Sequence, residues 1–150
     1  MRRDATNYVR EVKERVRALI ERELEGAVVY QADPEYVPAF GAGGTFCVEA
    51  ASSGVEAAAG DYGRVVVTLR IWTYVDGDGP EAEEAVTALA QRLEAALFAA
   101  GIPSAGAGSL GLETEYLRTD YLKREKGRAF RRRRVRAGRT EWRVRLAARR

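Results

Sequence analysis

Cys47 carries the most reactive side chain of the sequence, because a cysteine thiolate is a strong nucleophile. No imidazole can activate it, since the 150 residues include no histidine. A Cys–His or Ser–His nucleophile and a histidine-containing metal site are therefore excluded. Because it is the only cysteine, no internal disulfide can form, and we expect a small packed side chain at this position.

Paired carboxylates are the other residues that could act in catalysis, as general acid and general base. Glu113 and Glu115 occupy alternate positions of a strand-like segment, which is typical of a solvated or partner-facing row. We therefore predict that the chain is not an enzyme, and we keep both glutamates as interface candidates.

Two short motifs suggest ligand sites without the context that such sites need. The glycines within 106–111 have the G-x-G-x-x-G spacing, but they follow a helical pattern and precede a strand, the reverse of a dinucleotide fold. Asp76 and Asp78 resemble the start of a calcium loop, but Thr87 stands where a bidentate glutamate is needed. We predict a linker and a helix-capping turn, with neither cofactor nor metal.

The most unusual segment is GRAFRRRRVRAGRTEWRVRL, residues 127–146. It could be a disordered basic tail, a surface that neutralises nucleic-acid phosphates, or a pair of strands that faces acidic protein. The alternation in EWRVRL favours strands, and consecutive arginines on a strand must occupy both faces, where they need carboxylates from the chain or a neighbour. The interface candidates of this segment are Arg131, Arg132, Arg133, Arg134, Arg143 and Arg145.

Charge is divided unevenly along the sequence. Residues 1–116 contain 10 Lys/Arg and 19 Asp/Glu, a net of −9, whereas residues 117–150 contain 15 and 3, a net of +12. This division predicts one acidic and one basic surface region. The charged N-terminus predicts no signal peptide, and no apolar run is long enough to predict a membrane span.

Apolar periodicity predicts two helices, at about 6–25 and about 80–100. Gly26 is placed to end the first, and Pro80 is suited to the first position of the second. Strand patterns lie at 27–31, 45–50, 64–75, 112–125 and on both sides of Gly138, whereas residues 52–63 read as a loop. The predicted order is α-β-β-β-α-β-β, with a further strand possible at the end.

These elements predict one α+β domain over residues 1–150, a mainly antiparallel sheet of about four to six strands with two helices packed on one face. In the strand at 64–75, Val65, Val67, Leu69 and Ile71 form one face. Trp72 and Tyr74 lie on the other face, where they pack inside the chain or form a subunit interface. We keep both as interface candidates.

Most of the chain resembles the tail-terminator proteins of long-tailed bacteriophages, also described as minor tail U-like or tail-completion proteins. The resemblance is carried by an N-terminal helix followed by GAVVY, by TFCVEA, and by GRVVVTLRIWTYVDGDGPEAEEAVTALAQRLEAAL. The closing segment YLKREKGRAFRRRRVRAGRTEWRVRL is similar to the paired final strands of that family. The long basic stretch departs from the family pattern.

The resemblance implies a structural virion protein without catalytic residues or cofactor. Such proteins assemble as a hexameric ring on the last ring of the tail tube, stop its polymerisation and present a surface to the head connector or stopper protein. DNA passes through the lumen without sequence-specific contact. The implied location is the tail-neck region of the virion, after assembly in the host cytoplasm.

Two alternatives stay open at this point. A basic nucleic-acid-binding module is favoured by the net charge of +12 in residues 117–150 and would bind through the arginines at 131–134. Another ring protein of similar fold, such as a connector or a neighbour of the tail tube, would have the same sequence features.

Overall fold

The computed structural model describes residues 8–31, 40–57, 63–77, 79–100, 113–128 and 131–147. The elements are α1 (Tyr8–Glu23), β1 (Val28–Tyr30), β2 (Thr45–Ala57), β3 (Gly63–Asp76), α2 (Pro80–Ala100), β4 (Glu113–Arg128) and β5 (Arg131–Ala147). This is the predicted α-β-β-β-α-β-β order. None of the described helices is both long enough and apolar enough to cross a membrane.

The five strands form one sheet in the order β1-β2-β3-β5-β4. β1 pairs with β2 in parallel, and all other neighbours pair in antiparallel fashion. The last strand of the chain is therefore an inner strand, and the long strand β4 lies at an edge. The α+β class and the mainly antiparallel sheet are confirmed.

Helix α1 ends where the sequence predicts. Its buried residues recur at helical spacing and are Val12, Val16, Leu19 and Ile20. After Glu23, Gly26 has a φ of 82°, a left-handed conformation that a side chain would strain. The backbone then enters β1, with the N–H of Ala27 donating to the oxygen of Leu24 at 3.0 Å.

Helix α2 begins at Pro80. Proline lacks a backbone N–H, but an N–H at the first helical position has no partner within the helix, so no hydrogen bond is lost. Its buried residues are Ala82, Val86, Ala90, Leu93 and Leu97. The two smaller buried alanines let the helix lie close to the sheet.

Both helices pack on one face of the sheet, as predicted. The larger core joins Val16 of α1 and Leu93 of α2 to Leu69 of β3 and Val144 of β5, all of them fully buried. Trp142 of β5 is also part of this cluster. A smaller cluster around Cys47, which is buried as expected, lies on the opposite face.

The expectation that Gly138 separates two strands is wrong. β5 continues through this glycine, which pairs with Thr73 of β3 and Tyr121 of β4. A Cβ added at Gly138 would lie 3.4 Å from the Tyr121 ring and 3.5 Å from the Cβ of Ala90. The glycine therefore marks a close approach of α2 to the sheet rather than a turn.

The expectation of a loop from residue 52 onward is also wrong in its first half. β2 continues to Ala57 and pairs with β3 as far as Gly63. The register shifts between Ser52 and Gly54, so one extra residue is accommodated as a β-bulge and the pairing continues beyond it.

β4 and β5 extend beyond the end of β3. The last residue of β3 in register is Asp76, opposite Val135, and the N–H of Gly77 donates to the oxygen of Arg134 at 3.0 Å. Four further pairs of β4 and β5 continue as two strands. We call residues 125–128 and 131–134 the basic ribbon.

Candidate interaction surface

The sheet face opposite the helices carries a set of charged side chains from β2, β3, β4 and β5. Alternation along each strand places them on this side, because their neighbours in sequence point into the helix-covered core. We call this set the charged face. Its members are Glu49, Arg70, Glu115, Arg118, Asp120, Arg139, Glu141, Arg143 and Arg145.

Strand register places opposite charges beside each other across the charged face. One row runs from Glu49 on β2 to Arg70 on β3, then to Glu141 on β5 and Arg118 on β4. The signs alternate along this row. Opposite charges at directly facing positions stabilise strand pairing, so the register and the charge pattern support each other.

Glu141 is the centre of this arrangement, with a side chain that is only 8% exposed. Its Oε1 lies 3.3 Å from an Nη2 of Arg118, 3.5 Å from Nε of Arg139 and 3.8 Å from Nε of Arg70. Asp120 also pairs with Arg118 and Arg139, at 3.3 and 3.2 Å. The nearly buried carboxylate is thus compensated by three guanidinium groups.

Glu115, which was predicted to lie in a solvated or partner-facing row, pairs with arginines of the same chain. Nη1 of Arg143 and Nη1 of Arg145 donate to Oε1 of Glu115, at 3.1 and 3.2 Å. Glu113 faces Arg145 in the register, and its side chain lies outside the described residues. Carboxylates of β4 therefore neutralise arginines of β5 within the same chain.

The pKa of Glu115 is lowered from its ordinary value of 4.5. The hydrogen bond from Arg145 is the largest cause. Desolvation raises the pKa and opposes it, and the charge of Arg143 and a second hydrogen bond from this residue lower the pKa further. The carboxylate therefore stays ionised to a lower pH than a free glutamate.

Trp72 and Tyr74 are buried within the chain, at 7% and 1% exposure. Their rings stack with centroids 6.1 Å apart, and Nε1 of Trp72 donates to Oε1 of Glu49 at 2.6 Å. The guanidinium of Arg124 lies 4.4 Å above the Trp72 ring, in cation–π geometry. Packing inside the chain, the alternative to an interface, accounts for both side chains.

The four consecutive arginines, Arg131, Arg132, Arg133 and Arg134, lie on β5 within the basic ribbon. Their register partners on β4 are Arg128, Gly127, Lys126 and Glu125 respectively. The side chain of Arg134 is exposed, and those of residues 131–133 lie outside the described part. The glycine motif at 106–111 also lies outside the described residues.

Sequence reasoning did not single out an exposed group of aromatic side chains on the helix-covered side. Phe98 is 61% exposed, Tyr121 42% and Tyr116 38%. We call these three residues the aromatic patch. Phe98 and Tyr116 each pack on the buried Trp142, with ring centroids 5.1 and 5.2 Å away.

Polar contacts join the aromatic patch to helix α2. Thr119 donates to Oε2 of Glu94 at 2.7 Å and shares a 2.8 Å hydrogen bond with the hydroxyl of Tyr116. Partial burial, together with the negative charge of Glu94, raises the pKa of Tyr121 above 10.0. The hydroxyl of Tyr116 is thus linked through Thr119 to helix α2.

A β-bulge explains why the aromatic patch was missed. Tyr116 and Tyr121 are five residues apart, so regular alternation would place them on opposite faces. The register shifts between Tyr116 and Arg118, which inserts Leu117 as an extra residue. Tyr116 then faces Trp142 and Tyr121 faces Gly138, two positions on the same face of β5.

Comparison with known proteins leaves function to be inferred from these surfaces. No protein-family model matches the chain, and no curated protein matches it.

Proposed function

We propose that the chain is a structural virion protein, a ring-forming subunit that caps the tail tube of a long-tailed bacteriophage and joins it to the head connector. Its partners are further copies of itself in a ring of six, the tail-tube protein and the head-connector or stopper protein. Double-stranded DNA passes through the lumen. The protein acts in the tail-neck region of the virion. The order of elements and the resemblance of the strand and helix segments support this proposal.

The aromatic patch is the observation that carries the proposal. Phe98 is more than half exposed, and large aromatic side chains are enriched at protein interfaces. Tyr116 and Tyr121 of the patch lie on β4, which pairs with one strand only among the described elements. An aromatic surface beside a long strand edge suits contact with a neighbouring subunit.

A ring requires two different surfaces on each subunit, because each copy meets its neighbours through opposite sides. β4 with the aromatic patch lies at one edge of the sheet, and β1 lies at the other. Val28 of β1 is 38% exposed, so the second edge also offers an apolar contact. We infer that the β4 side of one subunit meets the β1 side of the next.

The test is assembly of the purified chain, followed by native mass spectrometry and by electron microscopy with the tail-tube protein of the same genome. We expect rings of six 16.6 kDa subunits, in solution or on the tube, and tubes that stop growing when the protein is added. Phe98→Ser should weaken assembly about tenfold or more, as expected for a residue that contributes strongly to an interface.

Phe98→Tyr is the matched control, because it keeps the aromatic ring and should assemble like the unmodified chain. Circular dichroism of both variants checks that the contact of Phe98 with Trp142 is not needed for folding. A chain that stays monomeric at high concentration and leaves tube lengths unchanged would contradict the proposal.

A further inference from the structure

The arginines of β5 belong to two groups that the register separates. Within the sheet, Arg139 faces Asp120, Arg143 faces Glu115, and the carboxylate Glu141 faces Arg118. Each of these directly facing pairs joins opposite charges. On the charged face, the arginines of β5 are thus compensated by β4. Arg136, on the helix-covered face, is opposite Lys123 and pairs instead with Glu83 of α2, at 3.7 Å.

In two of the four pairs of the basic ribbon, the same two strands place like charges opposite each other. Arg133 faces Lys126, and Arg131 faces Arg128. Strand alternation assigns these four positions to one face of the ribbon. Directly facing like charges destabilise a strand pair, so these two strand ends would be stabilised by an anionic partner.

Charge density separates the ribbon further from the rest of the sheet. Its eight residues contain six Lys/Arg and one acidic residue, Glu125, a net charge of +5. Four residue pairs extend over roughly 13 Å. At its base, Arg124 lies over the Trp72 ring, which fixes the start of the ribbon to the buried second cluster.

We propose that the basic ribbon binds the phosphate backbone of double-stranded DNA. Duplex DNA carries about one negative charge per 1.7 Å of its axis, so roughly eight phosphate charges lie along the length of the ribbon. The major groove of B-form DNA is about 12 Å wide and admits a two-stranded β-ribbon. Phosphates on both sides of the groove relieve the repulsion between facing cations, and binding is independent of base sequence.

This proposal does not require a ring, since a single subunit carries the whole ribbon. The two proposals therefore fail separately. Loss of assembly in Phe98→Ser leaves the ribbon intact, and loss of DNA binding in a ribbon variant leaves the aromatic patch intact. Ring formation would increase the apparent affinity by bringing several ribbons to one duplex.

The test is fluorescence anisotropy with a labelled DNA duplex of about 20 base pairs, titrated with the full chain at several salt concentrations. We expect log K to decrease linearly with log salt concentration, with a slope of about −3 to −4 for roughly four phosphate contacts. The ribbon variant replaces Lys126, Arg128, Arg131 and Arg133 by glutamine. It should lose at least tenfold in affinity at about 0.1 M salt, and most of the slope.

The control variant removes the same amount of charge elsewhere. It replaces four exposed arginines of the helices by glutamine, namely Arg10, Arg17, Arg22 and Arg92. We expect this variant to keep its affinity within about threefold, because ribbon and control variants have the same net charge and differ only in where the charge is lost.

Three results would overturn the proposal. Absence of duplex binding by the unmodified chain is the first. The second is an equal loss of affinity in the ribbon and control variants, which would show a general effect of net charge. The third is displacement of the duplex by polyglutamate as efficiently as by unlabelled DNA, which would show that the ribbon prefers an acidic protein. Circular dichroism of each variant ensures that loss of binding is compared between folded proteins.

Discussion

At the scale of single residues, the charged face depends on a carboxylate with little access to water. Glu141 has an 8% exposed side chain and contacts Arg70, Arg118 and Arg139. The arginines themselves reach solvent, with Arg118 63% exposed. Because the partners are partly solvated, their desolvation costs less than in a fully buried ion network, whereas the attraction is screened less than in a surface pair.

Glu141→Gln should destabilise the fold by about 2 kcal/mol, since three guanidinium groups lose their shared negative charge. Urea unfolding at neutral pH measures this change. Replacement of Glu115, which also binds two arginines but lies in solvent, is the matched control, and Glu115→Gln should have a clearly smaller effect. Equal effects of the two substitutions would show that burial does not determine the strength of these pairs.

The Glu115 pair also has a predictable dependence on pH. Because the folded-state pKa is lowered, its ionised form stabilises the fold at pH values above the ordinary 4.5. That contribution is lost as the pH decreases through the lowered value. The stability difference between the unmodified chain and Glu115→Gln should therefore disappear in acid, as unfolding curves at several pH values would show.

At the scale of elements, the sequence correctly predicts the helices and strands whose apolar positions coincide with their buried positions. α1, α2 and β3 have one apolar face each, and their bounds agree with the predicted ranges within about two residues where described. β2 was predicted too short, because a bulge after Ser52 interrupts its pattern while its pairing continues. The surface that carries the proposed function was missed for the same kind of reason, since Leu117 shifts the alternation of β4.

Gly138 shows how a glycine within a strand can be mistaken for a turn residue when close packing is the reason for its small size. Its buried position next to Ala90 and Tyr121 leaves room for one methyl group at ordinary contact distance but for little more. Such a contact involves α2 and β4, which are distant from Gly138 in sequence. Local pattern therefore could not distinguish it from a glycine in a turn.

Gly138→Ala should keep stability within about 1 kcal/mol, because the added Cβ fits and the unfolded chain loses some freedom. Gly138→Val adds two methyl groups against the Ala90 and Tyr121 contacts and should cost about 2 kcal/mol. Thermal unfolding of the two variants compares them directly. Equal tolerance of valine would contradict the close approach of α2 at this point.

At the scale of the whole molecule, strand order decides which parts of the chain depend on each other. β5 is the last element in sequence, yet it lies between β3 and β4. It contributes Trp142, Val144 and Leu146 to the larger core and Val135 with Ala137 to the smaller one. Both cores are thus incomplete until the C-terminal strand is in place.

A fragment that ends at residue 128 should lack cooperative unfolding, because β4 loses its only described strand partner and β3 loses one of two. Near-ultraviolet circular dichroism and urea titration measure this loss. A chain shortened to end at residue 147 keeps all of β5 and serves as the control. A sharp unfolding transition in the 128-residue fragment would show that β1, β2, β3 and the helices fold without β5.

The burial of Cys47 gives the protein a natural advantage for spectroscopic study. Its thiol has no exposed surface, so a maleimide dye can reach it only when the sheet separates. A second cysteine introduced by Glu84→Cys, at an exposed position of α2 outside the aromatic patch, would then take up the label selectively in the native state. Energy transfer between differently labelled subunits could follow the growth of an oligomer in real time, without removal of the native thiol.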